Sequence, residues 1–193
     1  MAALYIVIEG MDGSGKTTQS GLLIEFLKKN GFKVYHNIEP SSSVVGKLIQ
    51  KMITSKSYRP ETISLAFALD RMVAYDENLK FAKEKYDYII SDRSYLSSLA
   101  YQSLQGCSYD WVKDLNRYIE KPDIVFLLDI PVEEFARRRG TTKVIFENEE
   151  FQRKLRRSYL GLKDKLPLDI IVLDGTKPVD ELHGKIRELV LKM

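Results

Sequence analysis

Leu4-Tyr5-Ile6-Val7-Ile8-Glu9-Gly10-Met11-Asp12-Gly13-Ser14-Gly15-Lys16-Thr17 is the stretch that decides the fold. A run of β-branched and aromatic residues ends in an acid and gives way to glycines, a lysine and a threonine, satisfying G-x-x-x-x-G-K-[ST]. The spacing predicts a buried strand over Leu4 to Ile8, a loop, and a helix from Lys16. The glycines let successive backbone N–H groups turn inward on phosphate oxygens, and the helix N-terminus adds its partial positive charge. Lys16 would reach the β and γ oxygens of a nucleoside triphosphate and Thr17 would ligate Mg²⁺. Residues 10–18, Gly10, Met11, Asp12, Gly13, Ser14, Gly15, Lys16, Thr17 and Thr18, are therefore the expected ATP cradle.

Outward from that loop the pattern repeats. Short apolar runs recur at Lys33 to His36, Tyr88 to Ser91, Ile124 to Leu128 and Ile170 to Leu173, with helical segments between them. Such alternation predicts a parallel sheet with crossover helices, hence an α/β fold of three layers with five strands. Three runs end in acids, Glu9, Asp92 and Asp129, at the carboxyl ends of strands, where open α/β sheets bind ligands. Leu22, Leu23, Phe26 and Leu27 share one helical face, Gly31 marks that helix's end, and Pro60 and Pro131 stand where further helices would begin. Val179, Leu182, Ile186, Leu189 and Val190 predict a last amphipathic helix.

Composition limits the alternatives. The chain has 193 residues, 30 Lys+Arg against 27 Asp+Glu, and a formal net charge of +3. One domain spanning 1–193 is expected, with roughly 70% of its surface buried. Hydrophobic residues at 44% exclude a disordered chain, and no apolar run approaches a membrane span. The opening residues read as a buried strand of a soluble, unexported protein, which a single cysteine, Cys107, fits. The near-balanced charge predicts no nucleic-acid footprint, so local cations must hold any anionic ligand.

A second set of residues suits a planar acceptor. Phe67 and Arg71 lie four apart on one helical face, offering a ring and a guanidinium. Asp92-Arg93-Ser94 follows the third strand. There a carboxylate can meet Mg²⁺ water and an arginine a phosphate, or the same residues can serve as helix N-cap and ion pair. Ser41-Ser42-Ser43 can donate to phosphate or make a turn and cap.

Taken in order, Ile8 to Gln19, Glu39-Pro40, Phe67-Ala68-Leu69-Asp70-Arg71, Asp92-Arg93, Ser97 to Gln102, Leu127 to Pro131 and Asp174-Gly175 resemble the thymidylate kinase (dTMP kinase) family across nearly the whole chain. The resemblance implies a P-loop kinase fold with a short lid at about 137–148. It further implies transfer of the γ-phosphoryl of ATP to dTMP with Mg²⁺ and no covalent intermediate, in a cytoplasmic homodimer. It implies that Phe67 stacks on thymine, Arg71 bonds its carbonyl edge and Arg93 holds the acceptor phosphate. Asp12 would lie near the acceptor sugar and phosphate, Tyr101 would crowd the 2′ position, and Ser98 and Gln102 would line the base pocket. Catalysis would fall to Lys16, Asp12, Arg93 and Arg139, and Mg²⁺ to Thr17 and Asp92.

The chain departs from the family pattern where an arginine is usual. The P-loop position after Asp12 is Gly13, and Val144-Ile145 replace Asp-Arg before Phe146-Glu147. Arg139, before Gly140, is the first candidate for the lid cation, with Arg137 and Lys143 beside it as further ATP contacts. Arg138 is expected at a solvated helix end. A broader nucleotide kinase and a weakly catalytic nucleotide-binding module are the competing functions.

Overall fold

Strand β1 (Leu4–Gly10) occupies the centre of a five-stranded sheet ordered β2-β3-β1-β4-β5, in which every neighbouring pair is parallel. The computed structural model describes residues 2–55, 57–139 and 149–193; of Arg139 only the helical backbone is described. The other strands are β2 (Val34–Ile38), β3 (Tyr88–Asp92), β4 (Ile124–Asp129) and β5 (Ile170–Asp174). Each runs one or two residues further toward its carboxyl end than its apolar run suggests. Parallel pairing continues past the last apolar residue wherever the partner backbone also continues, as in the pairs Ile8 with Asp92, Gly10 with Leu128 and Asp129 with Asp174. The acids therefore stand inside the strand ends, along one edge of the sheet.

Alternation along β1 sorts the core into two layers. Ile6 and Ile8 pack with Leu23 and Leu27 of α1 (Lys16–Lys29), and with Leu182 and Ile186 of the last helix, here α10 (Val179–Val190). Tyr5 and Val7 face the opposite layer, with Leu96 and Leu99 of α5 (Tyr95–Leu104) and Leu155 and Tyr159 of α8 (Glu149–Leu160). Helix α1 begins at Lys16, and Gly31, at φ +86°, follows its end.

The remaining helices frame the strand ends. They are α2 (Val44–Ser55), α3 (Pro60–Ala74), α4 (Lys80–Lys85), α6 (Tyr109–Leu115), α7 (Val132–Arg139) and α9 (Leu162–Lys165). Pro60 is the first residue of α3. That helix does not end at Ala74 but widens into a π-helical turn over Tyr75–Leu79 and continues as α4. Leu79 is buried there. Most of the expected lid, including Lys143, lies outside the described residues.

Candidate active site

The donor side is built at the carboxyl ends of the central strands. Gly10 ends β1 at φ +143°, and a Cβ on it would stand 2.5 Å from Leu128 O and 2.8 Å from Ser14 Oγ. Only glycine lets the loop leave the strand beside β4. Gly15, at φ +101°, precedes α1, whose first turn has no capping side chain and no acid, so its positive end faces the loop. The Ser14 hydroxyl is buried with no hydrogen-bond partner among the described residues.

Lys16 is buried and donates to Met11 O at 2.8 Å, spanning the loop that a polyphosphate would fill. Burial, with the Arg93 charge adding to it, brings its ammonium down to about 8 against the opposing pull of Asp12, Glu9 and Asp92. An anion entering the loop must therefore bind the charged form that burial disfavours. ATP affinity measured by calorimetry should weaken as pH rises from 8 to 9.5, by up to about tenfold per pH unit. A flat profile over that range would show that Lys16 does not carry the binding.

Thr17 Oγ1 donates to Asp92 Oδ2 at 2.5 Å. This hydroxyl and carboxylate form an all-oxygen pair of the kind Mg²⁺ prefers, so the residues present fit that ion. Asp92 is not an N-cap, because Ser94 caps α5, accepting from Leu96 N at 3.2 Å. The cap thus falls two residues later than the alternative reading placed it, while the ion pair of that reading is present as Arg93 with Asp12.

Arg93 connects donor and acceptor sides. It is the one non-glycine residue with positive φ among those described, at +76°, and its N–H donates to Ile8 O at 3.1 Å. A side chain held in that sparsely populated region costs about 1–3 kcal/mol and is aimed by its backbone. Its guanidinium contacts Asp12, Ser97 Oγ at 3.1 Å and Tyr159 Oη at 3.4 Å. Beneath it the Glu9 carboxylate accepts from Ser94 N, Ser94 Oγ, Ser97 N and Ser97 Oγ at 2.8 to 3.2 Å. Four donors on one buried carboxylate fix the first turn of α5 to the end of β1.

The acceptor side is a cavity of about 820 Å³ between α3 and α5. All seven expected acceptor residues, Asp12, Phe67, Arg71, Arg93, Ser98, Tyr101 and Gln102, line it. Arg71 lies 5.4 Å from the Phe67 ring centre and donates to Glu39 at 2.6 Å, Asn116 at 2.9 Å and Ser98 Oγ at 2.9 Å. Burial pushes the Glu39 carboxyl up, and the Arg71 guanidinium opposes it. Gln102 is buried, and its Oε1 has no partner among the described residues, leaving an amide for a ligand edge.

Other residues take different places from those expected. Ser41 and Ser43 donate their hydroxyls to Asp70, and Ser43 Oγ accepts from Gly46 N, so the serine run is a turn and cap at α2. Arg137 pairs with Glu134 and is 73% exposed along its side chain. Arg138, expected in solvent, instead reaches Gly13 O at 2.9 Å and Gly175 O at 2.7 Å. The side chain of Arg139 and all of Lys143 lie outside the described residues. Sequence reasoning missed Asn116 and Tyr159, and also Arg156, which forks onto Asp129 with both contacts at 2.7 Å. Their partners are 27 to 66 positions away, and no local pattern marks them.

A phosphate loop at the centre of a parallel sheet, facing a cavity lined by an aromatic ring and two arginines, defines a P-loop phosphotransferase of the nucleotide kinase class. The family model described as thymidylate kinase matches residues 8–186. Relatives described as probable thymidylate kinases include one from Thermococcus kodakarensis, 38% identical over 97% of both chains. Another, from Methanocaldococcus jannaschii, is 43% identical over 95% of this chain and 93% of its own. A third, from Methanosphaera stadtmanae, is 36% identical over 98% of each. The chain belongs to the thymidylate kinase family.

Proposed function

We propose that the protein transfers the γ-phosphoryl group of ATP to dTMP, giving dTDP. The observation that carries this reading is that Asp12 belongs both to the P-loop and to the cavity lined by Phe67 and Arg71, so donor and acceptor phosphates meet at one residue. Thymine stacks on Phe67, with Arg71 and Gln102 at its edge and Ser98 beside them. Arg93 holds the acceptor 5′-phosphate, and Tyr101, whose ring lies 5.9 Å from the Arg93 guanidinium, closes on the sugar's 2′ side. Lys16 stays with the β and γ oxygens during in-line transfer, which requires positioning and charge neutralisation rather than a covalent intermediate. Mg²⁺, held from Thr17 and Asp92, neutralises phosphate charge when bound.

The lid is assigned to Arg139 first, with Arg137 and Lys143 as further donor contacts. The protein acts in the cytoplasm as a single domain over 1–193, with its one cysteine a buried thiol. Among the described residues no helix is long and apolar enough to cross a membrane. A homodimer completes the proposal. Val44 and Leu48 on α2, with Leu65, Leu69 and Met72 on α3, are exposed apolar residues outside the cavity lining, which a second copy would cover.

The test is ADP release with Mg·ATP and each of dTMP, dUMP, dCMP, dGMP and UMP, for the parent and Arg139→Ala. Preference for dTMP, with turnover falling about 10³-fold in the variant, is the expected outcome. Equal rates on all five would establish the broader kinase, and tight dTMP binding without turnover would establish the binding module.

A further inference from the structure

The arginine run that ends α7 contains one residue whose partners lie in three separate segments. Arg138 Nε donates to Glu134 Oε1 at 2.6 Å, Nη1 to Gly13 O at 2.9 Å and Nη2 to Gly175 O at 2.7 Å. Glu134 is in the first turn of α7, Gly13 is at the tip of the P-loop, and Gly175 follows β5.

Gly175 is a fixed point. Its N–H donates to Asp129 O at 2.8 Å, and a Cβ there would stand 2.8 Å from Ile130 Cγ2, 3.1 Å from Asp129 O and 3.4 Å from Ser14 O. The residue is wedged between the end of β4 and the P-loop, with no space to move toward either. Gly13 is the opposite case: a Cβ on it meets nothing within 4 Å among the described residues, and its φ is +73°. No described side chain packs over the open side of the loop tip, and the guanidinium links it to the wedged residue by donating to the carbonyls of both. The planar fork suits this task, because two parallel donors at fixed separation set the spacing of two acceptors, which a lysine ammonium cannot do. Hydrogen bonds from Arg137 and Arg138 hold the Glu134 carboxyl down at about 2, so the acid that steadies Arg138 stays ionised at all working pH values.

We infer that Arg138 is a positioning residue for the phosphate donor, stapling the P-loop tip at Gly13 to Gly175 so that the loop's N–H groups are in place before the donor arrives. The inference rests on the P-loop being the ATP site. A loop ordered in advance does not have to be ordered by its ligand, so losing the staple weakens ATP binding rather than the chemical step.

Three variants test it: Arg138→Ala, Arg138→Lys and Lys16→Ala. Each is measured for ATP affinity by calorimetry with Mg²⁺ and no acceptor, for dTMP affinity, for steady-state kinetics, and for amide exchange. Arg138→Ala should weaken ATP binding and raise the KM for ATP by about tenfold, with kcat and dTMP affinity within about twofold of the parent. Exchange should quicken over 11–15 and 175–177 but not in β1. Arg138→Lys should resemble alanine rather than the parent. The inference is overturned if ATP affinity and exchange are unchanged in Arg138→Ala, if lysine restores both, or if kcat falls with KM unchanged. Lys16→Ala separates the two failures. A silent Arg138→Ala beside an inactive Lys16→Ala refutes only the staple, whereas parental ATP binding in Lys16→Ala refutes the donor site itself.

Discussion

Lys16→Ala should lower turnover at saturating dTMP by about 10³-fold or more, with dTMP affinity within about twofold of the parent. That drop corresponds to about 4 kcal/mol of lost transition-state stabilisation. Lys16 is buried across the loop with its ammonium on Met11 O, and no solvent cation can take its place. The acceptor cavity does not include it, so acceptor binding should survive. Stopped-flow or coupled assays of ADP release, beside calorimetry with dTMP alone, check both halves. Parental turnover would remove the P-loop from the mechanism.

Arg71→Met should be the most damaging single change to stability among the cavity residues. The pair is deeply buried, with side-chain exposures of 3% for Arg71 and 10% for Glu39. Removing the cation leaves Glu39 as an unpaired buried carboxylate and costs about 3–5 kcal/mol, in addition to the bonds lost at Asn116 and Ser98. At this chain length that lowers Tm by roughly 6–20 °C. The loss should also depend on pH. Burial already raises the Glu39 carboxyl in the folded state, and only Arg71 restrains it, so in the variant the folded state holds a proton that the unfolded state releases. Stability of the variant relative to the parent should therefore fall as pH rises through and above the carboxylate range, and recover toward acid. Adding Glu39→Gln to Arg71→Met should return part of the loss at neutral pH. Denaturant midpoints at pH 5 and pH 8 decide the matter; a deficit independent of pH would assign the damage to packing alone.

The scaffold was legible because its signals are local. A continuous apolar strand buried on both faces, a glycine loop and a lysine that opens a helix all lie within fourteen consecutive residues, and the other four strands announce themselves by β-branched runs. The acceptor residues were placed by family resemblance, and all of them line one cavity. What the sequence hid is how those residues are held. Nothing near Glu9 indicates that it gathers the Ser94 and Ser97 donors from across 85 to 88 positions. Arg138 was misread for a related reason: at a helix end among other arginines it has the pattern of a solvated cation, and only the fold brings Gly13 and Gly175 within its reach. Asp70, beside Arg71 in sequence, faces Ser41 and Ser43 instead of the cavity because adjacent helical residues point about 100° apart.

The Glu9 carboxylate has a consequence for how the enzyme can change over evolutionary time. Strand β1 delivers the donor loop directly through Gly10, and through the adjacent Glu9 it also anchors the helix that carries Ser98, Tyr101 and Gln102. The spacing between the two substrates is thus written into consecutive residues of one strand in the middle of the sheet. An insertion or deletion there would shift both substrates at once and misalign the in-line attack, whereas the mouth of the acceptor cavity can vary freely. A change of acceptor would be made in α3, which lines the cavity, while the span across which phosphate travels is set by β1.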